Sequence, residues 1–124
     1  MKMAANDADT LRRYAAILGA TGVAAGAFGA HALKDTLTQR GGVENWRTAV
    51  LYHLIHAAAV LAVSTSKANT SNTFLAGKLM TTGTVLFSGS IYMLSLGIGP
   101  KRLLGPTTPI GGLFMIAGWV VIAL

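Results

Sequence analysis

Apolar residues gather into four long runs along the chain, divided by short polar breaks. The first extends from Leu11 to Leu33 and is entered through Arg12, Arg13 and Tyr14. The second, Trp46 to Thr65, opens on Trp46 and Arg47, a pair suited to anchoring at a membrane interface. The third, Thr73 to Gly97, is interrupted only by Lys78, and the fourth covers Pro109 to Leu124. About 20 apolar residues cross a bilayer core. The pattern therefore predicts transmembrane helices at about 11–33, 46–65, 73–97 and 109–124, in a single membrane domain (11–124) behind a tail of residues 1–10. Short connections place successive helices antiparallel. The expected fold is all-α, an integral membrane four-helix antiparallel bundle.

Two runs need comment. The fourth is short: its residues would rise only about 24 Å against a core near 30 Å. Thr108-Pro109 reads as an N-cap followed by proline at the first helical position, which sets its start. The Gly99-Pro100 and Gly105-Pro106 pairs before it read as helix breakers. The first run, with Arg12-Arg13 before it and Ala30-His31-Ala32 near its end, has the outline of a signal peptide. Its apolar part is longer than a usual signal core, so it is read as a retained helix.

Composition agrees with a lipid environment. Only 11% of the 124 residues are charged and 52% are hydrophobic, with mean hydropathy +0.56, whereas soluble domains carry about 25% charged residues. The net charge is +6, but the basic residues fall between the apolar runs instead of forming the stripe that nucleic acid requires. That placement suits contact with membrane lipids, anionic headgroups included. Their distribution gives no orientation: Lys2, Arg12, Arg13, Lys67 and Lys78 flank one side, and Lys34, Arg40, Arg47, Lys101 and Arg102 the other. The absence of cysteine excludes disulfides and thiolate chemistry. Asn69-Thr70-Ser71 fits a glycosylation acceptor, a weak signal alone.

Three groups of residues stand out. Gly19, Gly22, Gly26 and Gly29 fall on one stripe of the first helix, a surface for close packing against another helix of this chain, another protein or a second copy. His31, His53 and His56 lie in the half of the bilayer next to the 34–45 connection, and His53 and His56 share a helix face. Ser88, Ser90, Tyr92 and Thr108 fall in that same half, opposite a half made of Ala, Leu, Ile, Val and Met. The plain reading of this polar half is interhelical hydrogen bonding. Sharper readings make His31, His53 and His56 a cofactor-binding set for a metal or a haem, or make a His–Ser–Tyr chain a path for protons or small solutes. The leading reading needs no metal, no cofactor and no catalytic residue, because no Asp or Glu lies inside a run to act as a base.

The residues also match a family as an ordered set. Gly26-Ala27-Phe28-Gly29-Ala30-His31, Tyr52-His53-Leu54-Ile55-His56-Ala57, Phe87-Ser88-Gly89-Ser90-Ile91-Tyr92, Pro109-Ile110-Gly111-Gly112 and Gly118-Trp119 resemble the transmembrane protein 256 family and its bacterial YgdD-like relatives. The resemblance covers about Leu11 to Leu124. It implies a four-helix membrane protein without an established activity, and its ending resembles eukaryotic members, which implies the inner mitochondrial membrane. The acidic start, Asn6-Asp7-Ala8-Asp9, departs from an Arg-rich transit peptide, which keeps a bacterial-type plasma membrane as the alternative.

Together these readings favour a non-enzymatic membrane protein, an accessory subunit of a larger assembly or a self-associating scaffold. The alternatives are a His-based haem or metal protein and a small oligomeric transporter or channel.

Overall fold

A computed structural model describes residues 3–68 and 70–124; Lys2 and the Asn69 acceptor site lie outside the described residues. The described chain is all-helical, with α1 Ala5–Ala30, α2 Lys34–Arg40, α3 Val43–Ser64, α4 Ser71–Leu96 and α5 Lys101–Ile122. Helices α3, α4 and α5 are each long and apolar enough to cross a membrane, and α1 reaches that standard together with α2, across a bend of 73°.

Three sequence expectations are corrected. The predicted tail is helical from Ala5: Asp7 sits favourably in the first turn, and Asp9 pairs with Arg12 at 2.7 Å. Met3 and Ala8 pack into the apolar core beside Leu11. The connection after α1 is not a plain loop, since Lys34–Arg40 forms a helix that buries Leu37 and exposes nearly everything else. Gly41, left-handed at φ 67°, closes it, and Gly42 opens α3. Finally, the fourth helix starts at Lys101 and not at Pro109.

That last correction has a local cause. Pro100 stands at the N-cap of α5, and Pro106 and Pro109 sit inside it. A proline's fixed φ suits a helix, and what it removes is an amide donor. Thr107 and Thr108 return hydroxyl donors to the carbonyls of Leu103 and Leu104, supplying hydrogen bonds in the turn the prolines weaken. The resulting 22 residues rise about 33 Å, enough for a bilayer core of about 30 Å. The short fourth span of the sequence reading disappears.

Packing follows the chain: α1 lies on α3, α3 on α4, and α4 on α5, with a lesser contact of α1 with α4. Each of the three main pairs is antiparallel. Gly22 meets Leu54 while Gly29 meets Trp46; Gly42 meets Ser95 while Trp46 meets Tyr92; Gly83 meets Gly111 while Met80 meets Gly118. At α4–α5 the approach is backbone to backbone. A Cβ on Gly83 would stand 2.7 Å from the carbonyl oxygen of Gly111, and one on Gly111 would stand 2.8 Å from that of Gly83. Close approach of this kind drives helix association in lipid, where no hydrophobic effect separates helix from tail.

The interior is unequal along its length. Leu11, Ala15, Leu18, Ala57, Val60, Val63 and Met80 form the apolar core at the end where α1 begins. His53, Ser88, Ser90 and Ser95 are buried toward the other end. Lys78 lies about two turns inside α4 and folds back over Phe74, 4.7 Å from the ring centre, so its charge is carried toward the helix start.

Candidate functional site

The centre of the polar end is His53. Its ring is 7% exposed and joins three helices: Nε2 lies 3.1 Å from Thr21 Oγ1 on α1, and Nδ1 lies 2.9 Å from the Tyr92 hydroxyl on α4. The proton arrangement follows from counting donors. Thr21 directs its single hydroxyl proton back to the carbonyl of Ile17 at 2.7 Å, so toward His53 it acts as acceptor. His53 Nε2–H therefore donates to Thr21, and Nδ1 accepts from the Tyr92 O–H. The chain of donors runs Tyr92 to His53 to Thr21 to the Ile17 carbonyl. Trp46 covers it: its indole N–H donates to the Ala25 carbonyl at 2.8 Å, and its ring lies 4.6 Å from that of Tyr92.

His56 makes a second tether. Trp119 Nε1–H on α5 donates to His56 Nε2 at 3.0 Å. The other nitrogen, Nδ1, faces the Tyr52 carbonyl at 2.8 Å and must be its donor. The ring is neutral, with both nitrogens engaged. This contact reaches into the end of the bundle where the apolar core sits, deeper than the polar half expected from the sequence. It also links α5 to α3, a pair whose backbones do not otherwise meet.

His31 does not join them. It forms the C-cap of α1 and is exposed at the bend before α2. His31 thus stands apart from the two rings with which the sequence grouped it. The ring nitrogens of His53 and His56 are occupied by protein partners, and among the described residues no group of three His, Cys, Asp or Glu is arranged to hold a metal ion.

Ser88, Ser90 and Tyr92 divide between two faces of α4, one of which meets Thr108 of α5. Ser88 and Tyr92, four apart, look to α3: Ser88 donates to the Ala49 carbonyl at 2.7 Å. Ser90 is turned to α5, where its hydroxyl bonds that of Thr108. They form two seams, not one cluster, as expected when positions i and i+4 share a helix face and i+2 does not.

The predicted glycine stripe is also divided. Gly22 is packed under Leu54 and His53, Gly29 under the Trp46 indole, and Gly26 makes an ordinary contact with Val50, while Gly19 has nothing within 4 Å. Three of the four therefore seat α3. Sequence reasoning missed Thr21 and Gly83, took Gly111 and Gly118 as family motifs without a packing role, and gave Trp46 and Trp119 no partner. A hydroxyl or small residue carries no signal without knowing which helix faces it. The seven-residue spacing of Gly111 and Gly118 places these two on a common helix face.

Comparison with known proteins now places the chain. A family model described as "Protein of unknown function (DUF423)" matches residues 25–112, which include Trp46, His53, His56, Tyr92 and the Gly83–Gly111 crossing. The chain belongs to the DUF423 family. Among its DUF423-type relatives, a UPF0382 membrane protein of fission yeast (Schizosaccharomyces pombe) is 40% identical over 113 residues, covering 89% of this chain and 95% of the relative. The UPF0382 inner membrane protein YgdD of Escherichia coli is 40% identical over 112 residues, covering 87% and 82%. The UPF0382 membrane protein YwdK of Bacillus subtilis is 37% identical over 105 residues, covering 82% and 83%. No solved structure matches. The YgdD-like resemblance read from the motifs is thus the family itself, and the chain is an integral membrane protein.

Proposed function

We propose that this DUF423 protein is a non-enzymatic, four-span antiparallel membrane bundle that acts as an accessory or scaffolding subunit of a larger membrane assembly. The observation that carries the reading is the full use of both buried histidine rings. His53 and His56, the chemically most capable groups in the interior, hold this chain's own helices together. Each ring nitrogen of the two has a partner within this chain, which supports a structural use of the pair.

The assembly part of the proposal is supported by the outer helices. Helix α5 packs its backbone on α4, meets α3 through the Trp119–His56 bond, and turns Ile110, Leu113, Ile116 and Val120 outward, a surface that suits lipid or a neighbouring transmembrane helix. For location, we favour the mitochondrial inner membrane on the resemblance to eukaryotic members. The bacterial relatives, one of them named an inner membrane protein, support a bacterial-type plasma membrane as the alternative.

Crosslinking in native membranes, followed by gentle solubilisation, tests the proposal. The expected result is recovery in a complex with another membrane protein or with further copies of itself, at a mass well above that of the single chain. A solitary monomer, recovered without crosslinks, would overturn it.

A further inference from the structure

The bend between α1 and α2 leaves a groove of about 530 Å³ on the outer side of α1, α2 and α3, within the about 300–1,000 Å³ range of small-molecule sites. Its construction is amphipathic. One end carries Lys34, the first residue of α2, and Arg47, in the second turn of α3; the length of the groove is lined by Gly26, Gly29, Val50 and Leu54. Gly26 makes the hollow, since a side-chain carbon there would meet only Val50, whereas the space over Gly29 is taken by the Trp46 indole. Arg47 is paired through one guanidinium nitrogen with Glu44 at 3.0 Å, which leaves its other donors available. Val43 also lines the groove, and it opens α3, whose N-cap, Gly42, has no side chain to satisfy the first amides.

From this geometry we infer that the groove holds one anionic phospholipid. Its phosphate sits between Lys34 and Arg47, and an acyl chain lies along Gly26, Val50 and Leu54. The Lys34 ammonium and the guanidinium donors of Arg47 that Glu44 leaves free, at the mouth of an apolar slot, match a ligand with negative charge at one end and hydrocarbon at the other. Basic pockets between transmembrane helices recognise anionic headgroups in this way. A zwitterionic lipid satisfies the apolar walls but offers the pair of cations no net charge. The inference rests on the reading that the α1–α3 face lies in the bilayer.

The chain has two tryptophans, and Trp46 lines the groove. A Trp119→Phe background makes Trp46 the sole reporter. The full-length protein is reconstituted in phosphatidylcholine vesicles, and quenching of Trp46 is compared for phosphatidylglycerol and phosphatidylcholine brominated on the acyl chain. Half-maximal quenching is expected at about tenfold lower content of the anionic lipid, the order expected for two cations near a headgroup. The preference should vanish in the Lys34→Gln, Arg47→Gln double variant. It should vanish also in Gly26→Leu, where a Cβ meets only Val50, at an ordinary 3.4 Å, so that the bundle is kept and the slot is filled. Unchanged helical circular dichroism and thermal midpoint in both variants separate loss of the site from loss of the fold. Equal quenching by the two lipids in the parent would overturn the inference while leaving the four-span reading intact. Absence of quenching by either lipid would overturn both.

Discussion

Gly111→Ala is expected to destabilise the protein by about 2–3 kcal/mol, as insertion into a full interior does, although the change adds a single methyl group. The new Cβ would meet the backbone amide of Phe87 and lie 2.8 Å from the carbonyl oxygen of Gly83. Backbone atoms cannot rotate aside, so α4 and α5 must separate. Since α4 is the helix whose backbone α5 meets, with the Trp119–His56 bond as its tether to α3, most of the packing of α5 is at stake. Gly112→Ala, in the same helix with only the Phe87 ring near the added carbon at an ordinary 3.8 Å, should instead be neutral or stabilising by up to about 1 kcal/mol, because alanine is the better helix former. Unfolding in mixed micelles measures both. Equal effects at the two positions would mean that glycine content, and not the Gly83–Gly111 crossing, governs stability.

His53→Ala carries the second large effect. Interhelical hydrogen bonds in lipid average about 0.6 kcal/mol each. The loss at His53 is larger than two such bonds, because the Tyr92 hydroxyl loses its acceptor and a cavity opens between three helices. A total of about 2–4 kcal/mol follows from the orphaned groups and lost packing. Tyr92→Phe removes one contact and should cost about 1 kcal/mol. The two changes should couple by about 0.6–1.7 kcal/mol in a double-mutant cycle, the range measured for membrane pairs. His31→Ala, at an exposed helix end, serves as the control and should change stability little. Strict additivity of His53→Ala and Tyr92→Phe would remove the tether from the account.

Much of the fold is legible in the pattern of apolar runs, because crossing a bilayer demands length and low charge and little else. Helices α3 and α4 are read within three residues of their observed ends. The errors fall where a residue type has two uses. Pro106 and Pro109 break helices in water but are accommodated inside α5, beside threonines that donate back to carbonyls. Asp7, Asp9, Arg12 and Arg13 make the chain's start look like a soluble tail, yet helical spacing lets Asp9 and Arg12 pair and lets Met3 and Ala8 reach the core.

The site is less legible than the fold. Depth along a helix can be counted, and the count groups His53 with Ser88 and Tyr92. Rotation cannot be counted: whether Ser90 faces α3 or α5, or whether His56 finds Trp119 63 residues away, depends on contacts between helices that no local pattern encodes. His31 illustrates the limit. It lies near the right depth but at the end of its helix, where the backbone turns away from the bundle axis.

The central claim is that all four long helices cross the membrane, α1 included, although α1 meets the length and hydropathy standard only together with α2. The absence of native cysteine permits the most direct measurement: single-cysteine variants at Asp9, Thr36, Ser66 and Gly99, labelled in oriented vesicles with a membrane-impermeant maleimide. Four spans predict that Asp9 and Ser66 react from one face, and Thr36 and Gly99 from the other. Labelling of Asp9 and Thr36 from the same face would show that α1 does not cross, and would contradict the account.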